Sequence, residues 1–245
     1  MKTERQNNIL KILKEKKFAT VNYLAEKLYS SAPTIRRDLN ELKEKGYIRR
    51  SHGGAMIFDG ENAPIPIDFR TQKHISEKTE ICKKASQLIK ENFVIFIDCS
   101  TTTLHLADYI PQNKNITVVT NSFLLCAMLN ERSITTYCTG GLLVPQSKGF
   151  VGKRAEGFIE DFCADICFFS SCAVNDNGKI TDYSDLETQL RKTMLKNSRV
   201  KVFMCDSSKF LKTSAFNLTD LDSIDYIITD IELITKNKYN AKNLF

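Results

Sequence analysis

Apolar residues recur at helical spacing through the first fifty positions, and further on they gather into short continuous runs between amphipathic stretches. Ile9, Leu10, Ile12 and Leu13 form the first stripe and predict a helix over about 4–14. Phe18-Ala19-Thr20 breaks it, and Thr20 is placed to cap a second helix carrying Val21, Leu24, Ala25 and Leu28. After a turn at Tyr29-Ser30, Ser31 stands as N-cap of a third helix. Pro33 falls in its first turn, where a missing N–H forfeits no intrahelical bond. Ile35, Leu39 and Leu42 face inward on that helix and leave Thr34, Arg36, Arg37 and Asn40 outside. Gly46 is expected to end it, and Tyr47-Ile48-Arg49 to begin a strand.

The pattern changes after Asp59. Gly60, Pro64 and Pro66 remove the periodicity up to Ile75, a stretch that reads as a linker docking on the second domain. Beyond it, helices are expected over 77–91, 103–110, 123–130, 154–162 and 186–197. They alternate with apolar strands over 93–97, 116–119, 134–138, 166–169, 200–205 and 226–228, and a terminal helix closes the chain. Apolar strands alternating with amphipathic helices imply an α/β domain with a mostly parallel sheet covered on both faces. The expected division is residues 1–58, a winged helix-turn-helix; 59–75, a linker; and 76–245, the α/β domain.

Charge sharpens the role of the first part. Residues 1–58 hold 13 Lys/Arg against 6 Asp/Glu, an excess of seven, whereas the rest holds 22 against 23. All the excess positive charge therefore sits where the helix-turn-helix is, which suits a polyanion; the plainer alternative is a well-solvated helical surface. A third helix entering the major groove N-terminus first brings Ser31 and Thr34 towards base edges or phosphates, and Arg36 or Arg37 towards guanine or phosphate. Arg49, Arg50, His52 and Gly53 lie where a wing meets the flanking backbone or minor groove. The competing role for one arginine of the pair is an ion pair with Asp38 or Glu41.

No run of about 18 apolar residues occurs, and the charged N-terminus lacks a signal-peptide core, so a cytoplasmic protein is expected. The eight cysteines fit a reducing compartment, and no C-x-x-C is present. Cys163, Cys167 and Cys172 form the one cluster; neither spacing nor nearby His favours a metal there, and no metal or cofactor is expected.

In parallel α/β sheets ligands collect beyond the carboxyl ends of the strands. At those ends this chain places Asp98-Cys99-Ser100-Thr101-Thr102-Thr103, Thr120-Asn121-Ser122, Thr139-Gly140-Gly141 and Asp206-Ser207-Ser208-Lys209. Taken singly, each is ordinary turn or capping chemistry. Together they offer hydroxyls, backbone N–H groups and one lysine, a set that suits a small phosphorylated sugar or polyol.

The ordered series T-I-R-R-D-L (Thr34–Leu39), R-x-H-G-G-A (Arg50–Ala55), D-x-x-T-T-T (Asp98–Thr103), T-N-S (Thr120–Ser122), T-G-G (Thr139–Gly141), E-x-x-x-R-K-x-M (Glu187–Met194), D-x-S-K-F (Asp206–Phe210) and T-D (Thr229–Asp230) resembles the DeoR family of bacterial transcriptional regulators. The resemblance implies a winged helix-turn-helix joined to a domain similar to sugar-phosphate isomerases. It also implies a repressor of a sugar-metabolism operon controlled by a phosphorylated intermediate, binding double-stranded operator DNA as a homo-oligomer. Carried onto this chain, Ser100, Thr101, Thr102 and Thr103 hold the effector phosphate, and Asp98, Asn121, Gly140 and Lys209 line the rest. Ser100 stands where the family usually has glycine, and Ser170-Ser171-Cys172 replaces a stretch that commonly carries glycine.

Two other classes compete. A sugar-phosphate isomerase-like enzyme with an appended DNA-binding module needs a positioned general base, for which Asp98 is a candidate; His105 follows in the next helix. A redox or metal sensor would have to use the cysteines. No assembled acid–base pair is visible, so a non-enzymatic regulator is the preferred reading.

Overall fold

The computed structural model describes residues 2–44, 47–51, 53–57, 67–71 and 73–230. Gly46, His52, most of the expected linker and the expected terminal helix lie outside the described residues. The chain forms two compact units, Met1–Ile65 and Pro66–Phe245.

In the first unit, α1 (Lys2–Lys16) leads into β1 (Phe18–Thr20), α2 (Val21–Lys27) and α3 (Ala32–Glu44), followed by β2 (Ile48–Ser51) and β3 (Gly54–Ile57). Both expected caps are present. Thr20 accepts from the Tyr23 N–H, and Ser31 Oγ accepts from the Thr34 N–H at 3.3 Å. Ile9, Leu13, Leu24, Ile35, Leu39 and Leu42 are buried together and fix the angle between the helices. The break at Phe18–Thr20 is more than a break: it is a strand pairing antiparallel to β3, which also pairs with β2, so the wing belongs to a three-stranded sheet. Gly54 makes this close pairing possible. A Cβ there would lie 2.3 Å from the Phe18 ring and 2.5 Å from the Ala19 carbonyl oxygen.

The second unit begins with α4 (Ile67–Thr71) and α5 (Ile75–Ser86). Next come β4 (Val94–Ile97), α6 (Thr101–Leu104), a 3-10 turn over His105–Tyr109, β5 (Thr117–Thr120), α7 (Phe123–Glu131) and β6 (Thr135–Cys138). A hairpin of β7 (Leu142–Val144) and β8 (Gly149–Val151) precedes α8 (Lys153–Glu160) and β9 (Ala164–Phe169). The remainder is β10 (Ala173–Val174), β11 (Lys179–Asp182), α9 (Asp185–Lys196), β12 (Ser198–Met204), β13 (Phe216–Asp220) and β14 (Tyr226–Ile228).

Six strands make a wholly parallel sheet in the order β14-β12-β9-β4-β5-β6. The continuous apolar runs follow from burial on both faces. Ile95, Ile97, Val118, Phe168, Val202 and Met204 pack beneath α5 and α7, while Phe96, Val119, Cys167, Phe169 and Phe203 pack beneath α8 and α9. The chain crosses from one side of β4 to the other between β6 and β9, so β4 lies at the point where strand order reverses. Such a point opens a crevice at the strand ends. The β7–β8 hairpin and the antiparallel sheet β10-β11-β13 are additions the alternating pattern did not announce. Residues 67–71, expected in the linker, are helical, and Ile67 is buried with its N–H on the Gln146 carbonyl at 2.7 Å.

Candidate functional site

The α3 surface keeps Arg36, Arg37 and Asn40 exposed, opposite Ile35, Leu39 and Leu42. The carboxylates that competed for those arginines are engaged elsewhere: buried Asp38 pairs with Arg5 of α1, and Glu41 accepts from Gln6 at 2.9 Å. Arg49 on β2 is exposed, and Arg50 Nη1 donates to the Arg36 carbonyl at 3.3 Å, tying the wing to α3. Burial and the neighbouring Arg36 lower the Arg50 pKa, but a guanidinium remains charged at neutral pH. Gly53 is exposed with φ +80, and Ser31 and Thr34 share a hydroxyl contact of 2.8 Å at the helix start.

At the sheet's carboxyl edge, Asp98 follows β4 directly and is fully committed. One oxygen accepts from the Ser100 N–H (3.2 Å) and Thr103 Oγ1 (2.8 Å); the other accepts from Arg191 Nε (2.7 Å) and the Ser170 N–H (3.4 Å). Ser100 caps α6 by accepting from the Thr103 N–H. Two of the four loop hydroxyls are thereby spent on the loop itself. Thr101 and Thr102 are buried, and Thr102 Oγ1 lies 3.5 Å from Lys209 Nζ. Lys209 donates to Ser170 Oγ at 2.7 Å, with Asp206 at 3.9 Å.

The structure thus brings Asp98, Ser100 and Thr103 into one network and Thr102 and Lys209 into another, with Ser170 touching both. Asn121 and Gly140 are placed apart from these contacts. Asn121 Nδ2 donates to the Phe150 carbonyl on β8, and Gly140 lies at φ +62 in the turn after β6. A groove of 390 Å³ between α7 and β6 is lined by Phe123, Cys126, Ala127, Asn130, Ile134, Thr136 and Cys138, and by none of the candidate effector residues.

A residue outside the candidate set organises this edge. Arg191 of α9 is 5 % exposed and meets three carboxylates, Asp98, Asp182 (2.8 Å) and Glu187 (3.2 Å). Burial opposes the charge on Asp182, but Arg191, the Tyr183 N–H and Ser171 more than offset it and hold the carboxyl below its ordinary range. Arg191 is in turn held cationic against burial by those carboxylates. The E-x-x-x-R spacing was a usable signal, since residues four apart share a helix face. Asp182 gave none, because it lies on a strand outside the main sheet.

The model of the DeoR-like helix-turn-helix domain matches residues 5–61, and that of the DeoR C terminal sensor domain matches residues 73–231. The chain belongs to the DeoR family. One relative is the L-fucose operon activator of Haemophilus influenzae, 35% identical over 94% of this chain and 92% of its own length. Another is the glycerol-3-phosphate regulon repressor of Escherichia coli, 28% identical over 93% and 90%. Among solved structures, eIF2B delta of Chaetomium thermophilum aligns with TM-score 0.50 at 16% identity, over 66% of this chain and 58% of that one, a likeness of fold alone. The α/β expectation and the helix-turn-helix expectation both hold for this DeoR-family chain. No described helix is long and apolar enough to cross a membrane.

Proposed function

We propose that this protein is a cytoplasmic transcriptional repressor of an operon for sugar or polyol metabolism, acting as a homo-oligomer on paired operator half-sites. Residues 1–58 read duplex DNA through Ser31, Thr34, Arg36, Arg37 and the wing residues Arg49, Arg50, His52 and Gly53. A phosphorylated sugar or polyol binds at the strand ends through Thr101, Thr102 and Lys209, with Asp98, Ser100 and Thr103 shaping the loop, and releases the DNA. Asn121 and Gly140 border the site. The observation that carries this reading is the pair of family matches over residues 5–61 and 73–231, joined to an α3 face whose arginines are exposed while Asp38 and Glu41 are engaged by other side chains.

The isomerase alternative loses its base. Asp98 has both oxygens filled, and His105 Nε2 lies 3.4 Å from the Thr71 carbonyl. Selection of bound duplexes from a random library, followed by anisotropy titration with and without a panel of sugar phosphates, tests the proposal. One duplex family should be enriched and released by a phosphorylated ligand, and Thr102→Ala and Lys209→Ala should each raise the ligand concentration needed by at least about tenfold. Failure to enrich any duplex overturns the DNA role, and turnover of a panel member restores the enzyme. A promoter assay in which added protein raises transcript would reverse the sign from repression to activation.

A further inference from the structure

Three buried polar groups near the Arg191 cluster have unfilled hydrogen-bonding atoms: Nε and Nη2 of Arg70, the hydroxyl of Tyr183, and Oε1 of Glu187. Leaving a buried polar atom without a partner is costly, more so for a charged group, so such atoms concentrate where something else binds. They share one electrostatic environment, since Tyr183 senses both Arg70 and Glu187. Arg70 projects from α4, seated by buried Ile67, and its carbonyl accepts from Lys78 Nζ of α5. Lys78 is only 3 % exposed, yet no carboxylate among the described residues forms an ion pair with it, and it senses Lys209 and Arg70 as like charges. Burial first, and then Lys209, bring its pKa down to about 8.

The balance of donors and acceptors decides what fits. The carboxylates Asp98 and Asp182 are already met by Arg191 and by backbone or hydroxyl donors. Asp206 is the carboxylate set against Lys209 and Lys78, and it also receives Ser208. Among the described residues the cations Arg70 and Lys78 have no such partner in direct contact: one leaves two nitrogens unfilled, the other gives one of its three donors to a carbonyl. Lys209 adds a third positive charge beside Thr102 and Ser170.

We propose that Arg70 and Lys78 join Lys209 as the anion-holding end of the effector site, receiving the phosphate group of the ligand, while Tyr183 and Glu187 Oε1 receive ligand hydroxyls. This rests on the effector reading proposed for the strand ends and moves the phosphate from the self-satisfied Ser100–Thr103 loop to a cationic triad. A phosphate monoester carries a charge of about −1.5 to −2 at neutral pH and three acceptor oxygens, which matches three cations opposed by one carboxylate. The hydroxyl end calls for a polyol or open-chain sugar phosphate, not a bare anion.

Thermal-shift and calorimetric titrations of the full chain with inorganic phosphate, glycerol 3-phosphate and glycerol test it. Glycerol 3-phosphate should raise the melting midpoint most, inorganic phosphate less, and glycerol not at all, because only a ligand of the folded state stabilises it. Arg70→Met and Lys78→Met should each weaken glycerol 3-phosphate by at least about tenfold, with Arg70→Lys intermediate. The ligand-free midpoint of Arg70→Met should not fall, since an unpartnered buried charge has been removed. If the variants bind as the parent does, or if Arg70→Met melts several degrees lower without ligand, the triad is structural and the proposal fails. DNA release by a sugar phosphate at unchanged concentration in Arg70→Met would sink the triad while leaving the effector reading intact. A parent protein that no phosphate ester binds or releases from DNA sinks both.

Discussion

Replacing Arg191 with methionine tests whether this buried guanidinium holds the effector edge together. The change keeps the length of the side chain and removes the partner of Asp98, Asp182 and Glu187 at once. Breaking a buried ion pair from one side typically costs about 3–5 kcal/mol, because the remaining charge stays buried without compensation. Here three carboxylates lose their cation, so the upper end applies. For a domain of this size each kcal/mol moves the midpoint by about 2–4 °C, which gives a fall of roughly 10–20 °C at pH 7. The pH dependence discriminates further. In the parent, Asp182 sits below its unfolded value, so its contribution is present at neutral pH and is lost only as pH falls through and below the carboxylate range. In Arg191→Met the strongest influence set against the burial of Asp182 is gone and only the hydrogen bonds from Tyr183 and Ser171 remain, so its folded pKa rises above the unfolded one and the variant gains stability as pH drops from 7 towards 5. The sequence has no tryptophan, so thermal unfolding followed by far-UV circular dichroism at pH 7 and pH 5 is the assay. A midpoint within 2–3 °C of the parent, or the same sign of pH slope in both proteins, would refute the reasoning.

Operator affinity should fall steeply between low and moderate salt, because each phosphate neutralised releases counterions, and Arg37→Ala should weaken binding and flatten that slope by about one; an unchanged slope in anisotropy titrations moves the contact to Arg36 or the wing. Gly54→Ala should destabilise the first unit by roughly 1–3 kcal/mol, since its Cβ would meet the Phe18 ring at 2.3 Å and the Ala19 carbonyl at 2.5 Å; a wild-type urea midpoint would show that β1 yields freely. Cys138, whose pKa is lowered to about 7 by the Cys126 thiol and the N–H groups of Gly140 and Thr139, should be alkylated by iodoacetamide near neutral pH well before Cys99, which burial pushes up; peptide mass spectrometry reads the order.

What could be read from residues alone divides along physical lines. Elements whose cause is local were legible: Thr20 and Ser31 cap their helices because a hydroxyl before an apolar stripe has a nearby N–H to meet. Likewise, 226–228 is a strand because a buried parallel strand must be apolar on both faces. Elements whose cause is distant were not. Phe18–Thr20 is too short to declare itself, and becomes a strand only because β3 arrives beside it with a glycine that permits the approach. Arg70 shows the same limit at the site. Between two prolines and a helix start, it looks like linker chemistry, and nothing local tells that its guanidinium will be buried. Strand-end hydroxyls drew notice because their position follows from topology. Yet Ser100 and Thr103 spend their hydrogen bonds on Asp98 and on each other, so the residues easiest to find are those already satisfied. Near the Arg191 cluster, the atoms left wanting a partner sit on Arg70 and on the Tyr183–Glu187 stretch, two segments distant in sequence that only the folded chain assembles. A ligand site is defined by what the protein leaves unpaired, and that sum is a property of the fold.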